Sequence, residues 1–190
     1  MTMVNTSPLV KTYTLEEFWA LPDPPDRSKL ELIAGVLYMT PPPGYLHDYA
    51  VSRLIRLLSE YLITSGVKGR LLVPRSAIWT SARTHLEPDL FYLSAETEAR
   101  FEPEHRPCAD LVIEVTSPGS AIYDRNTKAD TYAALGVKEL WLVDEADENV
   151  ELRTLVDERF APGQVFAKGE TLSSLILPDL KIDVTRIFED

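Results

Sequence analysis

Residues 111–115 read Leu111-Val112-Ile113-Glu114-Val115 and are followed by Ser117-Pro118-Gly119-Ser120. A short apolar run rich in β-branched residues and ended by turn formers is the pattern of a buried strand. Side chains alternate along a strand, so Leu111, Ile113 and Val115 share one face while Val112 and Glu114 share the other. Glu114 therefore interrupts one apolar face with a carboxylate. Burying that group ionised and alone costs several kcal/mol or more, so it must be protonated, paired, hydrogen-bonded or bound to a cation.

Working outward, residues 124–135 have a helical pattern stopped by Gly136, and residues 138–143, which include Leu140-Trp141-Leu142-Val143, read as a second buried strand. Strand, crossover helix and strand predict a parallel pair and an α/β architecture. Upstream, Thr14 and Glu17 form a capping box for a short helix that Pro22, Pro24 and Pro25 end. Residues 30–33 and 36–39 read as a hairpin turning at Ala34-Gly35, after which Pro41-Pro42-Pro43-Gly44 forces a loop. Apolar residues at three- and four-residue spacing predict an amphipathic helix over 46–63, closed by Gly66. Strands are expected at 70–74, 76–81 and 90–93, a loop with at most a helical turn at 94–109, and a strand at 150–155 pairing with Arg159 and Phe160. Residues 180–187 form a terminal strand or short helix, and the apolar tail 172–190 packs on the core or on a second subunit.

The 190 residues, 45% of them hydrophobic, suit one globular domain spanning 1–190. Residues 1–10 lack the apolar segment of a signal peptide and no run approaches membrane-spanning length, so a cytoplasmic location without membrane contact is expected. Cys108 is the sole cysteine, which excludes an intrachain disulfide and a cysteine-clustered zinc site, and it reads as structural. A net charge of -11 opposes nucleic-acid binding by bulk electrostatics. The charge is uneven, however: residues 49–86 carry six basic residues and one acid, Glu60, whereas residues 129–190 carry six basic residues and 14 acids. The dense run Asp144-Glu145-Ala146-Asp147-Glu148 reads as a solvated turn.

A second carboxylate, Asp89, opens the strand-like run Pro88-Asp89-Leu90-Phe91-Tyr92-Leu93. If that strand lies beside 111–115, Asp89 and Glu114 meet near one sheet edge and, with the carbonyl of Val115, supply hard oxygen ligands to Mg²⁺ or Mn²⁺. Such an ion activates water and offsets charge on a pentavalent phosphate, which suits phosphodiester hydrolysis. Lys128 orients that water or stabilises the transition state. Each residue also has a plainer reading. Asp124 and Lys128 are four apart and fit a surface salt bridge, Glu31 fits an exposed strand position between Leu30 and Leu32, and His47 fits either phosphate contact or solvent.

Together these residues resemble the PD-(D/E)XK nuclease superfamily and, more closely, the Uma-type restriction endonuclease family. The resemblance rests on Leu30-Glu31-Leu32-Ile33-Ala34-Gly35, the proline-rich segment before His47, Pro88-Asp89, Ile113-Glu114-Val115-Thr116-Ser117-Pro118, Asp124 with Lys128 and Tyr132, and the run from Gly136 to Asp144. Thr116 stands where the superfamily expects its lysine, two residues after the second acid. The Uma-type family instead takes a lysine from the following helix, which maps to Lys128.

The resemblance implies a restriction endonuclease-like α/β fold, a central mixed β-sheet flanked by helices, often as a homodimer. It also implies Asp89 and Glu114 as ligands to Mg²⁺ or Mn²⁺, Lys128 as catalytic cation, and Glu31 as a further acid near the metal. The expected activity is endonucleolytic hydrolysis of DNA by metal-activated water. Two other readings remain: a non-catalytic nucleic-acid-binding or regulatory module that retains the fold, and a hydrolase of another phosphoester.

Overall fold

The computed structural model describes residues 11–100, 109–117 and 120–189. Its first elements are a capped helix α1 (Leu15–Trp19), a hairpin β1 (Lys29–Ile33) and β2 (Val36–Thr40), and the long helix α2 (Tyr45–Ser65). Thr14 and Glu17 exchange the expected capping-box hydrogen bonds. The hairpin turns through Ala34 at φ 50° and Gly35 at φ 84°. Two successive positive φ values match the right-handed twist of the strands, and a Cβ on Gly35 would lie 3.2 Å from the Tyr13 carbonyl, which favours glycine there. Gly66 ends α2 in the left-handed conformation, as its place after the last apolar turn predicts.

Next come β3 (Gly69–Leu72), β4 (Ile78–Thr80), β5 (Thr84–Leu86), β6 (Leu90–Ser94), α3 (Ala95–Ala99) and β7 (Leu111–Thr116). A helix then runs as α4 (Ala121–Tyr123), a π turn (Asp124–Lys128) and α5 (Ala129–Ala134), leading into β8 (Glu139–Asp144). The chain finishes with β9 (Asn149–Val156), β10 (Arg159–Phe160), β11 (Gln164–Ala167), β12 (Thr171–Ser173), β13 (Lys181–Asp183) and α6 (Thr185–Phe188).

A seven-stranded sheet is ordered β10-β9-β8-β7-β6-β3, with β11 also on β9. Within it β7 and β8 are parallel, as the crossover helix requires, and the other pairs are antiparallel. Leu111, Ile113 and Val115 pack with Leu54, Leu58, Leu177 and Ile187, so α2 and the C-terminal tail cover one face. Val112, Leu140 and Leu142 pack with Ala129, Tyr132, Ile78 and Leu86, so α5 and a smaller sheet, β2-β1-β5-β4, cover the other. The tail thus lies on the chain's own core.

Several boundaries depart from the sequence reading. Thr84–Leu86 forms β5, an unpredicted strand paired with β1 and β4. Its polar Thr84 and His85 are buried, so its three residues lack the alternation that marks a half-exposed strand. The expected strand at 70–74 ends at Leu72, and Val73 to Ala77 connect the two sheets. Ser94 accepts from the Thr97 N–H and caps α3, a five-residue helix that places the helical turn allowed within the expected loop at its start. The crossover helix begins at Ala121, before the expected Asp124, and residues 180–187 contain both a strand and a helix. Cys108 lies outside the described residues, as do Pro118 and Gly119.

Candidate active site

The antiparallel register that places Leu90 opposite Ile113 sets Asp89 opposite Glu114 when carried one residue further. Asp89 Oδ2 accepts the Val115 N–H at 2.8 Å. On an extended strand the N–H and C=O of one residue face the same edge, so the Val115 carbonyl also faces the Asp89 side. The expected adjacency of the two acids is therefore present, and it arises from backbone pairing.

Lys128 projects onto this edge from the π turn and is 1% exposed. Its Nζ lies 2.5 Å from Glu114 Oε1, 3.4 Å from Glu31 Oε1 and 3.5 Å from Asp124 Oδ1. The reading of Asp124 and Lys128 as a surface pair is thus replaced by a buried cluster. Glu31, 1% exposed, is likewise no solvent-facing strand residue. Its Oε1 accepts the Glu87 N–H at 2.8 Å. His47 does not face open solvent either, since its Nε2 lies 3.1 Å from Asp89 Oδ2.

In the π turn the Ala129 N–H bonds back to the Asp124 carbonyl, five residues earlier. Such insertions recur at functional sites, and this one lies where Asp124, Lys128 and Tyr132 meet the acidic strand. The Tyr132 hydroxyl donates to Glu114 Oε1 at 2.6 Å, and that of Tyr123 donates to Glu31 Oε2 at 3.4 Å while its ring stacks on Tyr38. Tyr132 enters the sequence reading only as part of the family resemblance, without a role, and Tyr123, Lys29 and Glu87 are not singled out by it. The four-residue step from Lys128 to Tyr132 already places those two on one helix face; Lys29 and Glu87 carry no local signal.

Burial raises the Glu114 carboxyl to about 7, against the opposing pull of Lys128. Burial alone would lower Lys128, but Glu114 and Glu31 outweigh it and hold the ammonium above its ordinary value. Asp89 is pulled the other way: desolvation opposes ionisation, yet the His47 hydrogen bond and the charges of Lys29 and Lys128 keep its carboxyl below the usual range. His47 is correspondingly raised, Asp89 overcoming the effect of burial. Asp124 is raised by burial.

These groups line a cavity of about 250 Å³ whose walls carry six carboxylates against four lysines and arginines. Asp89 Oδ1 and Glu114 Oε2 accept no hydrogen bond among the described residues. No group of three or more His, Cys, Asp or Glu side chains arranged to hold a metal occurs among the described residues. No described helix is long and apolar enough to cross a membrane.

A mixed sheet between helical layers, with acids from adjacent strands at one edge, defines a restriction endonuclease-like α/β protein. The chain belongs to the Uma2 family, described as "Putative restriction endonuclease", whose model matches residues 15–185. Among solved structures it is similar to a putative nuclease of the DUF820 group from Anabaena variabilis. That match has 18% identity and a TM-score of 0.74, covering 93% of this chain and 97% of that one. No curated protein matches.

Proposed function

We propose that the protein is a divalent-metal-dependent endonuclease that hydrolyses phosphodiester bonds in DNA. The observation that carries this reading is the convergence of Asp89, Glu114, Glu31 and Lys128, from two sheets and a helix, on one acid-rich cavity. Asp89 Oδ1, Glu114 Oε2 and the Val115 carbonyl would hold Mg²⁺ or Mn²⁺. Two carboxylates and a carbonyl suit magnesium, which keeps several waters. The uncommitted carboxylate oxygens and the excess of acids support that fit. When bound, the ion supplies charge that stabilises the phosphoryl transition state and eases deprotonation of the attacking water.

The chain's own groups do the rest. Lys128 is held protonated by Glu114 and Glu31, and it neutralises charge on the phosphoryl oxygens as the water-to-phosphorus bond forms and the ester P–O bond breaks. Glu31 fixes Lys128 and, through the Glu87 N–H, the segment that leads into Asp89. Tyr132 directs Glu114 by donating to Oε1, which turns the second oxygen free for a cation. The reading extends to one catalytic domain over 1–190 acting in the cytoplasm, and to the homodimer that the family resemblance implies.

Calorimetry with Mn²⁺ tests this on the wild type and on Asp89→Ala and Glu114→Ala. Binding that both substitutions remove supports the site and leads to cleavage assays on DNA; unchanged affinity in either variant refutes the ligand assignment. The net charge of -11 favours one competing reading, a module that retains the fold without turnover. Absence of Mn²⁺ binding at millimolar concentration would select it.

A further inference from the structure

Glu87 separates two cavities. Its backbone belongs to the acid cluster, since its N–H donates to Glu31 and its carbonyl accepts from Lys29 Nζ at 2.8 Å. Glu87 also lines a second cavity of about 190 Å³, shared with Phe18, Trp19, Arg75 and His85. Arg75 lines both cavities and forms their common wall with Glu87, its Nε 3.4 Å from Glu87 Oε2. That ion pair lacks hydrogen-bond geometry, and Glu87 Oε2 is buried with no hydrogen-bond partner. The same holds for Nδ1 of His85, a residue 8% exposed.

The second cavity is thus lined by two residues that each carry an unpartnered buried polar atom and by aromatic side chains. The His85 ring lies 4.8 Å from that of Phe18. Trp19 is 54% exposed and is braced by Trp79 in an edge contact at 5.5 Å. A buried polar atom without a partner is costly and calls for an explanation, and a ligand that completes it is one. The volume falls below that of ordinary drug-sized sites, which favours a small planar group. The wall formed by Arg75 and Glu87 places such a group beside the acid-rich cavity.

We propose that this cavity receives one unstacked nucleobase of the substrate strand, stacked on Trp19 and hydrogen-bonded to Glu87 and His85. The inference rests on the nuclease reading and specifies its substrate as a strand with at least one unpaired or extruded nucleotide. A carboxylate acceptor selects a base with an exocyclic amino donor, and cytosine meets this where thymine does not. Stacking on an aromatic side chain supplies affinity for an exposed base of any sequence.

The test is fluorescence anisotropy in magnesium buffer with labelled oligodeoxycytidylate, oligothymidylate and a mixed-sequence duplex of equal length. The wild type should bind the single strands more tightly than the duplex, and oligodeoxycytidylate most tightly. Trp19→Ala should weaken single-strand binding by about tenfold, Trp19→Phe should restore most of it, and Glu87→Gln should narrow the preference for cytosine. Thermal melting checks that each variant folds. Equal binding of single strand and duplex, or full affinity in folded Trp19→Ala, overturns the proposal. Trp19-dependent binding without cleavage would retain the base site and refute the nuclease reading; cleavage of DNA that ignores Trp19 would do the reverse.

Discussion

Glu114 and Glu139 are buried glutamates on adjacent strands of one sheet, 2% and 0% exposed. Glu139 is closed: Oε1 accepts from Trp141 Nε1 and the Ser174 hydroxyl, each at 2.7 Å, and Oε2 accepts the Leu175 N–H at 2.8 Å. Glu114 has both its donors on one oxygen and leaves the other facing a cavity lined by Asp89 and Asp124. Three neutral donors satisfy a buried carboxylate and join the C-terminal tail to β8, which is a structural use. A half-satisfied carboxylate among like charges suits a cation, which is the use proposed for it.

The sharpest way to break that comparison is Glu114→Ala. It should abolish Mn²⁺ binding and hydrolysis, a loss above about 10³-fold, and should also lower stability in metal-free buffer, because it leaves the buried Lys128 ammonium and Tyr132 hydroxyl without their nearest acceptor. Calorimetry and melting temperature on one preparation decide it, and undiminished Mn²⁺ affinity would make Glu114 as structural as Glu139. Lys128→Met follows, with a turnover loss of about 10²–10³-fold at nearly unchanged Mn²⁺ affinity. Unimpaired cleavage would return Lys128 to a purely structural ion pair.

Glu139→Ala should behave differently, costing about 3 kcal/mol of stability by stranding three donors with no change in Mn²⁺ affinity. Denaturant unfolding measures the first effect and calorimetry the second. The smallest effect concerns Asp110, a third buried acid, which accepts from the Ser94 N–H at 2.7 Å, from the Thr97 hydroxyl at 2.9 Å and from Lys138 Nζ at 2.6 Å. Burial alone would raise its carboxyl, but Lys138, Ser94 and Thr97 prevail and hold it below the ordinary value of 3.8. A depressed folded-state value means stability that is complete above the unfolded-state pKa and is lost as pH falls through the folded one. Unfolding at pH 7 and pH 3 should therefore show a drop in stability that Asp110→Asn reduces; an equal drop in the variant would assign it to other acids.

Much of this was legible in the chain. The apolar run around Glu114, the capping box at Thr14, the Ala34-Gly35 turn and the stop at Gly136 are local signals, and each element they predict is present. The parallel pairing of β7 and β8 followed from the helix between them. Less legible were β5, whose buried polar residues imitate a loop, and the π turn, which has the same spacing signals as an ordinary helix. Glu31 read equally as exposed because strand alternation specifies a face, not what covers it.

The sequence by itself determined the kinds of element, their order and the presence of a carboxylate in a buried strand, because propensity, capping and periodicity act over a few neighbouring residues. Only the tertiary structure decided which buried acids are complete and which remain open. Glu139 takes its donors from Ser174 and Leu175, whereas Glu114 meets Lys128 across a crossover and faces Asp89 from the next strand. Hydrogen bonds and Coulomb interactions depend on separation in space, so two glutamates in similar apolar runs acquire different surroundings once the sheet and helices close around them.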